Sequence, residues 1–350
     1  MSVFSFKKFT SDSVQTSQRE VITAPLWSKQ QAALSQMHSS SAQSDNEKRY
    51  YYEIFNSQSN LQGAESQFAI AYGDAAGSGS STGSFGMNIY DYPTKAVYAQ
   101  YKQLLLNAGQ NLFKFSNDET SEYIYVINVN RARFKDRMNT NTWQLTLAEM
   151  SSSGVAISSS NKVFTLIDDS GAPTTELATQ GGRVYYVRSG SINDGIYTAD
   201  TTPWGLYYPD FGVIVLNGRA LDASASFATK RSPATGSGDN SAFKLVTSIS
   251  GAMSLNPVSH SFQGSTSEVV ASSYYFVRLL NNEFNFTNNP SFFTGSNQLK
   301  HTRMYDDPKV YVTTVGLYDD FQNLLAVAKL SQPIEKSFDR EVVIKVKLDY

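Results

Sequence analysis

Short runs of β-branched and aromatic residues recur along most of the chain, and turn residues separate them. Tyr123 to Val129 is a continuous apolar run, whereas Trp143 to Leu147 alternates with a period of two, as a half-buried strand does. Further strands are predicted over 163–167, 184–187, 211–216, 243–249 and 274–280. The spacing predicts a mainly β protein of the α+β kind, with an antiparallel β-sandwich or barrel-like body and a few short helices.

One segment has the periodicity of an amphipathic helix, which is predicted near 94–106. Pro93 suits the first turn of such a helix, because that turn does not need its amide hydrogen. Four apolar residues are spaced so that they would share one helix face: Val97, Tyr101, Leu104 and Leu105. A second, short helix is predicted over 29–37.

The chain divides into three predicted regions. Residues 1–60 are rich in serine and glutamine, and they predict an extended N-terminal arm that becomes ordered by lying on another surface. Residues 61–304 hold most of the predicted strands and form the β-rich body with its amphipathic helix. Residues 305–350 predict a C-terminal hairpin or meander that packs on the body.

The C-terminal region has the most regular pattern. Strands at 309–317 and 324–330 are joined by a polar tip and therefore predict a hairpin. Pro333 cannot donate a backbone hydrogen bond, so we expect it to end the second strand. Lysine alternates with apolar residues in the last part of 342–348, and we expect this third strand to turn its lysines to water.

Charge and composition argue against binding to nucleic acid or membranes and favour contacts with other proteins. The chain carries 29 basic and 31 acidic residues, and its net charge of −2 gives no general attraction to nucleic acid or anionic lipid. Its apolar runs are far shorter than the roughly 18–20 residues that cross a bilayer, so we expect no membrane segment. Charged residues are only 17%, while tyrosine and phenylalanine number 21 each. Protein interfaces share this bias, although a tyrosine-rich β protein has it too.

The residues that usually carry catalysis or bind metals form no recognisable motif. The sequence has no cysteine and no spacing that would place two imidazoles on one metal. The three histidines stand far apart in the sequence: His38, His260 and His301. We therefore assign no catalytic, cofactor-binding or metal-binding residue.

Three pairs of adjacent aspartates are the remaining candidates for chemistry: Asp168–Asp169, Asp306–Asp307 and Asp319–Asp320. Two carboxylates can act as acid and base in a glycosidase, and carboxylates also bind calcium. All three pairs stand in predicted turns, where aspartate accepts hydrogen bonds from nearby backbone amides. We therefore favour the turn interpretation over catalysis or calcium binding.

A basic segment is a candidate for charged docking. Its four basic residues are spaced by two, so a strand would present all of them on one side. Like charges on one edge repel each other unless carboxylates of this chain or of a partner meet them. A solvated face is the alternative interpretation. With three aromatic residues of the arm, the basic residues make up the predicted partner interface: Phe4, Phe6, Trp27, Arg131, Arg133, Lys135 and Arg137.

Several stretches carry a resemblance to a known class of proteins. The C-terminal block reads YVTTVGLYDD from Tyr311 to Asp320 and LLAVAKLS from Leu324 to Ser331, and it ends with Val343 to Tyr350. Other stretches add to it: Asn128–Arg133, Leu166–Gly171, Val187–Ser191, Tyr208–Leu216, Phe276–Arg278 and Phe284–Pro290. From about Phe85 onward the chain resembles virion structural proteins of contractile-tailed bacteriophages, in particular those of T4-like phages that infect cyanobacteria.

The resemblance implies a non-enzymatic structural component of the virion, placed in the tail baseplate wedge or an adjoining tail structure. Its partners would be other phage structural proteins and copies of itself in a symmetric assembly formed in the host cytoplasm. The relatives transfer no catalytic residue and no cofactor. A neck or head-decoration protein is an alternative within this class. Outside it, a receptor- or glycan-binding module using the loop from Trp204 to Asp210, and a glycosidase, are further alternatives.

Overall fold

The protein is mainly β, as the sequence predicts. The computed structural model describes residues 6–10, 13–40, 50–58, 60–77, 92–116, 119–151, 155–157, 159, 162–171, 177–192, 202–227, 242–287, 289–296 and 298–349. Strands make up 45% of the described residues and helices 18%, and the sheets are antiparallel. This confirms the predicted fold class of a β-rich antiparallel body with a few helices.

The strands are numbered in chain order. They are β1 (Val14–Pro25), β2 (His38–Ser40), β3 (Tyr51–Phe55), β4 (Ser66–Asp74), β5 (Phe113–Lys114), β6 (Thr120–Ser121), β7 (Tyr123–Val129), β8 (Arg137–Met138), β9 (Gln144–Ala148), β10 (Val163–Asp168), β11 (Leu177–Thr179), β12 (Gly182–Ser189), β13 (Gly205–Tyr208), β14 (Val213–Asn217), β15 (Phe262–Gln263), β16 (Ser265–Leu279), β17 (Val310–Tyr318), β18 (Leu324–Lys336) and β19 (Val342–Asp349). The α-helices are α1 (Pro93–Leu105), α2 (Gly218–Ala225), α3 (Ala242–Leu255) and α4 (Arg303–Asp306).

The chain forms two compact units. The larger unit is Ile22–Glu268, and the smaller one combines Met1–Val21 with Val269–Tyr350. This division differs from the predicted arm, body and C-terminal region. Residues 22–60 belong to the larger unit, and residues from the beginning and the end of the sequence build the smaller one.

A long antiparallel sheet organises the larger unit. Its strand order is β15-β9-β10-β12-β13-β14-β7-β4-β3-β2, with β11 beside β12. The central strand β7 is a continuous apolar run, and it is buried on both faces. Tyr125 and Ile127 face one apolar cluster that includes residues of α2 and α3, while Ile124 and Val126 face a second cluster that includes residues of α1. The larger unit therefore has a core on each side of this sheet.

Helix α1 spans the predicted segment, but the face that it buries is shifted by one residue. Tyr98 and Leu105 are buried, whereas Leu104 is 40% exposed. Tyr98 explains the shift, because its hydroxyl donates to the Ser121 carbonyl at 2.8 Å and accepts from the Phe113 N–H at 3.2 Å. A tyrosine with two buried hydrogen bonds fixes the rotation of the helix more strongly than an aliphatic side chain does.

Two predicted elements of the larger unit are wrong. The segment 243–249, predicted as a strand, lies inside helix α3, where Leu245 and Ile249 are buried at helical spacing. The segment 29–37, predicted as a helix, has only the short 3-10 turn Ser28–Gln30 at its start. Beyond that turn the chain runs extended beside β15, because the Leu34 N–H donates to the Phe262 carbonyl at 3.0 Å.

The smaller unit has two sheets that share an apolar core. In the first sheet β16 pairs with β19, from Ser272 opposite Asp349 to Leu279 opposite Val342, and β1 lies in the same sheet. In the second sheet β17 pairs with β18 and forms the predicted C-terminal hairpin. The core between the two sheets contains Leu279, Leu317, Val342, Ile344 and Val346.

The C-terminal strands differ from the prediction in two details. β19 pairs with β16, so it does not extend the hairpin into a three-stranded meander. Pro333, which we expected to end the second strand, lies inside β18. The register shifts there, since Val312 opposite Ile334 is followed by Thr314 opposite Lys329. A strand accommodates proline at such an irregularity, because the residue there leaves the hydrogen-bonded ladder.

Candidate interaction surface

Trp27, a predicted interface residue, lies in the core of the larger unit instead. It is 2% exposed, and its indole N–H donates to the Phe262 carbonyl at 2.7 Å. Its ring contacts those of Phe68 and Phe262, with centroids 5.6 and 4.9 Å away. The prediction of Trp27 as a partner-interface residue is therefore wrong, because this aromatic anchor within a polar stretch ties its part of the chain to the core.

The basic segment does not form the one-sided strand that the spacing predicted. Arg131–Arg133 is a short 3-10 helix, and a strand begins only at Arg137. The side chain of Asn130 caps this helix by accepting the Ala132 N–H at 3.0 Å. Asparagine at such a position favours a turn over a continuing strand. The four charges therefore do not lie along one strand face.

Two of these charges are met within the larger unit. The Arg133 guanidinium lies 2.9 Å from the Glu65 carboxylate, and the Lys135 ammonium lies 3.0 Å from that of Glu268. Carboxylates of this chain thus relieve the repulsion that the spacing of the basic residues predicts. Pairs of this exposed kind contribute only about 0–1 kcal/mol each. The segment therefore offers weak support for a charged docking strip.

The other two aromatic candidates of the arm have different outcomes. Phe4 lies outside the described residues. Phe6 is 46% exposed, and its ring packs edge-to-face on that of Tyr318 with the centroids 5.1 Å apart. Tyr318 is the last residue of β17. Phe6 therefore belongs to an exposed group of apolar side chains on the C-terminal hairpin.

The aspartate pair Asp168–Asp169 is buried at the end of β10. The two oxygens of Asp168 accept the Asn141 N–H at 3.1 and 3.0 Å, and one of them also accepts the Ser170 N–H at 3.1 Å. Asp169 accepts the Tyr186 N–H at 2.9 Å. Burial raises the pKa of both carboxyl groups, that of Asp169 to about 6. Backbone amides occupy both carboxylates, in the manner that the sequence analysis favoured for these pairs.

The remaining candidate chemistry is dispersed. Asp307 pairs with Lys309 at 3.3 Å. Trp204, in the loop considered for glycan binding, is 5% exposed and stacks on Phe164 with the centroids 4.7 Å apart, so its ring is not available to a sugar. In the part of the chain that the structure describes, no group of three or more His, Cys, Asp or Glu side chains could hold a metal. No helix among the described residues is long and apolar enough to span a membrane.

The hairpin of the smaller unit exposes apolar side chains on the side away from its core. Phe321 is 87% exposed, Leu325 68% and Val327 59%. Tyr318 lies opposite Leu324 in the strand pairing, so these two exposed side chains are neighbours. We define the hairpin outer face as Phe6, Tyr318, Phe321, Leu324, Leu325 and Val327.

The tip of the hairpin is a hydrogen-bonded turn built around Asp319. One carboxylate oxygen of Asp319 accepts the N–H groups of Phe321 and Asn323 at 2.9 and 2.7 Å. The Asn323 side-chain amide donates to the other oxygen at 2.9 Å, and these bonds lower the pKa of Asp319. The turn fixes the backbone at Phe321. An exposed aromatic residue on a fixed backbone loses little conformational freedom when a partner covers it.

The first sheet of the same unit has an outer face of opposite character. Lys345 and Lys347 alternate with buried residues of β19 and point outward, which confirms the side predicted to face water. The Lys347 ammonium lies 2.6 Å from the Glu20 carboxylate, and that of Lys345 lies 3.9 Å from the centre of the Tyr274 ring. The outer side of β19 therefore carries lysines, whereas the hairpin outer face is apolar. Clusters of exposed apolar side chains, such as the hairpin outer face, are typical of interaction sites.

Sequence reasoning missed the hairpin outer face, although a signal for it was present. Residues 324–328 are apolar at every position, reading LLAVA. A strand with one side in water alternates apolar and polar residues, so a continuous apolar run predicts that both sides are covered. One side, with Ala326 and Ala328, packs on the core of the unit. The other side, with Leu325 and Val327, is the exposed one.

No protein-family model, curated protein or solved structure matches this chain.

Proposed function

We propose that the protein is a non-enzymatic structural component of a tailed-phage virion, located in the tail baseplate, and that it works through subunit interfaces. The resemblance of its sequence to virion structural proteins supports this class of assembly. The hairpin outer face supports action through protein contacts, and it is the observation that carries the proposal.

Exposure of these apolar side chains to water costs free energy that a partner can recover by covering them. Burying one large apolar side chain is worth about 1.5–3 kcal/mol. Phe321, Leu325 and Val327 together therefore offer several kcal/mol to a partner, from which the costs of association are subtracted. The turn around Asp319 already fixes the backbone at Phe321, which lowers those costs. Aromatic anchors of this kind are typical of the centre of protein interfaces.

The location can be tested by taking inventory of particles. Purified virions are separated into heads and tails, and the proteins of each fraction are identified by mass spectrometry. We expect the protein in the tail fraction, together with baseplate proteins. Its presence in the head fraction would favour the neck or head-decoration alternative. Its presence in infected cells and absence from mature particles would overturn the proposal.

The role of the hairpin outer face can be tested with a matched pair of variants. We expect Phe321→Ser combined with Leu325→Ser to lower incorporation into particles at least about tenfold, which corresponds to a loss of ~1.4 kcal/mol. The melting temperature should stay the same, because both side chains are exposed. Val258→Ser removes a residue of the larger unit that is 72% exposed, and serves as the control. Equal incorporation of both variants would remove this face from the proposal.

A further inference from the structure

The hairpin has an edge that is unpaired among the residues that the structure describes. Its sheet contains β17 and β18, so β17 uses one of its two edges. The backbone N–H and C=O groups along an unused edge can pair with a strand of another chain. This edge is distinct from the hairpin outer face. A strand that pairs with the edge extends the sheet in its own plane, whereas a partner of the outer face would pack against its side chains.

The two strands of the hairpin differ in the features that prevent another strand from pairing with their free edges. Natural proteins guard edges with charged residues, proline and irregular register. β18 has the first two, through Lys329 and Pro333, while the register shift is common to both strands. β17 has no charged residue and no proline over its 9 residues. The edge of β17 is therefore the one that can accept another strand.

The residues of β17 follow a mirrored pattern. The residues that pack on the core of the unit are Val312, Val315 and Leu317. The exposed residues between and beyond them include Tyr311, Gly316 and Tyr318. From Tyr311 to Gly316 the same order of inward and outward positions is therefore met from either end.

The centre of this mirror lies between two threonines. Neighbouring side chains of a regular strand point to opposite faces. The hydroxyl oxygens of Thr313 and Thr314 are nevertheless 3.3 Å apart, and both residues are exposed. These two side chains therefore share the outer side, and the alternation reverses between them. The reversal coincides with the register shift between β17 and β18.

A mirrored strand can pair with its own copy. In an antiparallel pair related by a two-fold axis, residue i lies opposite j and residue j lies opposite i. Directly opposed residues also lie on the same face of the sheet. With the axis between Thr313 and Thr314, Val312 lies opposite Val315 of the second copy, and both face inward. Tyr311 lies opposite Gly316 of the second copy, and both face outward.

We propose that β17 pairs antiparallel with β17 of a second copy of this chain, in the register that places Thr313 opposite Thr314. The two hairpins then form one sheet in the order β18-β17-β17-β18. Because β17 is uncharged, the two-fold contact brings no like charges together. The inference deepens the proposed function by naming the partner at one interface, and it rests on the chain acting through subunit contacts.

Disulfide trapping tests the register. The chain has no cysteine, so a variant with a single cysteine reports one position. In Thr313→Cys the two sulfurs lie on either side of the axis, at a Cα separation of about 6 Å that a disulfide can span. We expect mild oxidation of the full-length variant to give a disulfide-linked dimer. The control is Ser331→Cys, an exposed position of β18, which should form no disulfide-linked dimer under the same oxidation.

Charge insertion tests the contact without a covalent bond. Thr313→Lys places two ammonium groups beside the axis, so we expect the dissociation constant of the dimer to rise about tenfold or more in sedimentation equilibrium. The matched Ser331→Lys should leave association unchanged. Because both positions are exposed, both variants should keep the melting temperature of the unchanged protein.

Three outcomes would overturn the proposal. The first is a protein that stays monomeric at all accessible concentrations. The second is a mixed disulfide between Thr313→Cys and Ser331→Cys, which indicates a head-to-tail contact. The third is a dimer that survives Thr313→Lys but is lost in the Phe321→Ser and Leu325→Ser variant, which assigns the contact to the hairpin outer face. None of these outcomes decides whether the protein is present in tails, so the virion role is judged separately.

Discussion

Asp169 is buried at the end of β10 and keeps a pKa that differs from that of an exposed aspartate. Burial raises the pKa of its carboxyl group to about 6, although the Tyr186 N–H and the charge of Arg188 both act to lower it. Loss of hydration therefore outweighs one backbone hydrogen bond and one nearby cation. The protonation of this single residue links the stability of the larger unit to pH.

The sign of this linkage follows from the direction of the shift. In the unfolded chain the carboxyl group has its ordinary pKa of 3.8. Between that value and about 6 the folded protein holds the proton more tightly, so protonation stabilises the fold. This contribution is fully present below the unfolded pKa and is lost as the pH rises through about 6.

We predict that Asp169→Asn gains stability relative to the unchanged protein as the pH rises. Asparagine keeps an oxygen to accept the Tyr186 N–H but cannot ionise. The difference in unfolding free energy, measured by urea titration, should favour the variant more at about pH 7.5 than at about pH 5. Asp169→Ala, which loses the acceptor as well, should show the same trend with a constant penalty. An equal difference at both pH values would contradict the assigned pKa.

Single residues also set the limit of what sequence reasoning can find. The aspartates of the turns could be predicted, because a carboxylate beside backbone amides acts through its immediate neighbours. Trp27 could not be placed, because its partners Phe68 and Phe262 are far away in the sequence. The polar composition of the first sixty residues as a whole gave no indication that Trp27 is buried.

Helix α3 shows how an element can be read with the wrong period. Its core-facing residues include Leu245, Val246, Ile249 and Ala252, at the spacing of a helix face. Phe243 to Ile249 is also apolar and β-branched enough to be read as a strand. Short apolar runs fit both periods, and only the residues that follow decide between them.

In the same helix, packing decides whether a glycine-to-alanine substitution raises or lowers the stability of the protein. In an exposed helix interior, alanine stabilises the helix by about 1 kcal/mol relative to glycine. A Cβ atom at Gly251 would lie 2.3 Å from that of Ala156, so Gly251→Ala should destabilise the protein instead. Ser250→Ala, at the exposed position before it, should be neutral or slightly stabilising. Thermal unfolding of both variants checks this, and a stabilised Gly251→Ala would show that the close approach is absent.

Strands with a clean pattern were predicted well. Tyr123 to Val129 coincides with β7, and the two hairpin strands begin within one residue of their predicted starts. Their identity depends on local pattern and turn chemistry. The pairing partner of β19 could not be predicted in this way. Alternation shows which side of a strand faces solvent, but it does not show which strand lies beside it.

The division of the whole molecule depends on contacts between distant parts of the sequence. Val14–Pro25 and Ser265–Leu279 lie in one sheet, although more than two hundred residues separate them. Local composition suggested boundaries near 60 and 304. Such long-range pairing leaves no local signal, so the sequence alone could not indicate that the smaller unit combines both ends of the chain.

We predict that the C-terminal region cannot be removed as an independent module. A chain that ends at Met304 lacks β19, which pairs with residues 272–279 of β16. The amide hydrogens of these residues should therefore exchange rapidly with solvent in the truncated chain. Those of β7 in the larger unit should keep their protection. Unchanged protection at 272–279, measured by hydrogen exchange and mass spectrometry, would support a separable region as the sequence suggested.

The pairing of β16 with β19 also sets an order of events during synthesis. The ribosome releases β16 some sixty residues before β19. The larger unit can therefore collapse while the chain is still growing, whereas the smaller unit must wait for β19. The hairpin acquires its packed support at that late moment. Nascent chains consequently complete the core beneath the hairpin outer face only after translation has passed β19.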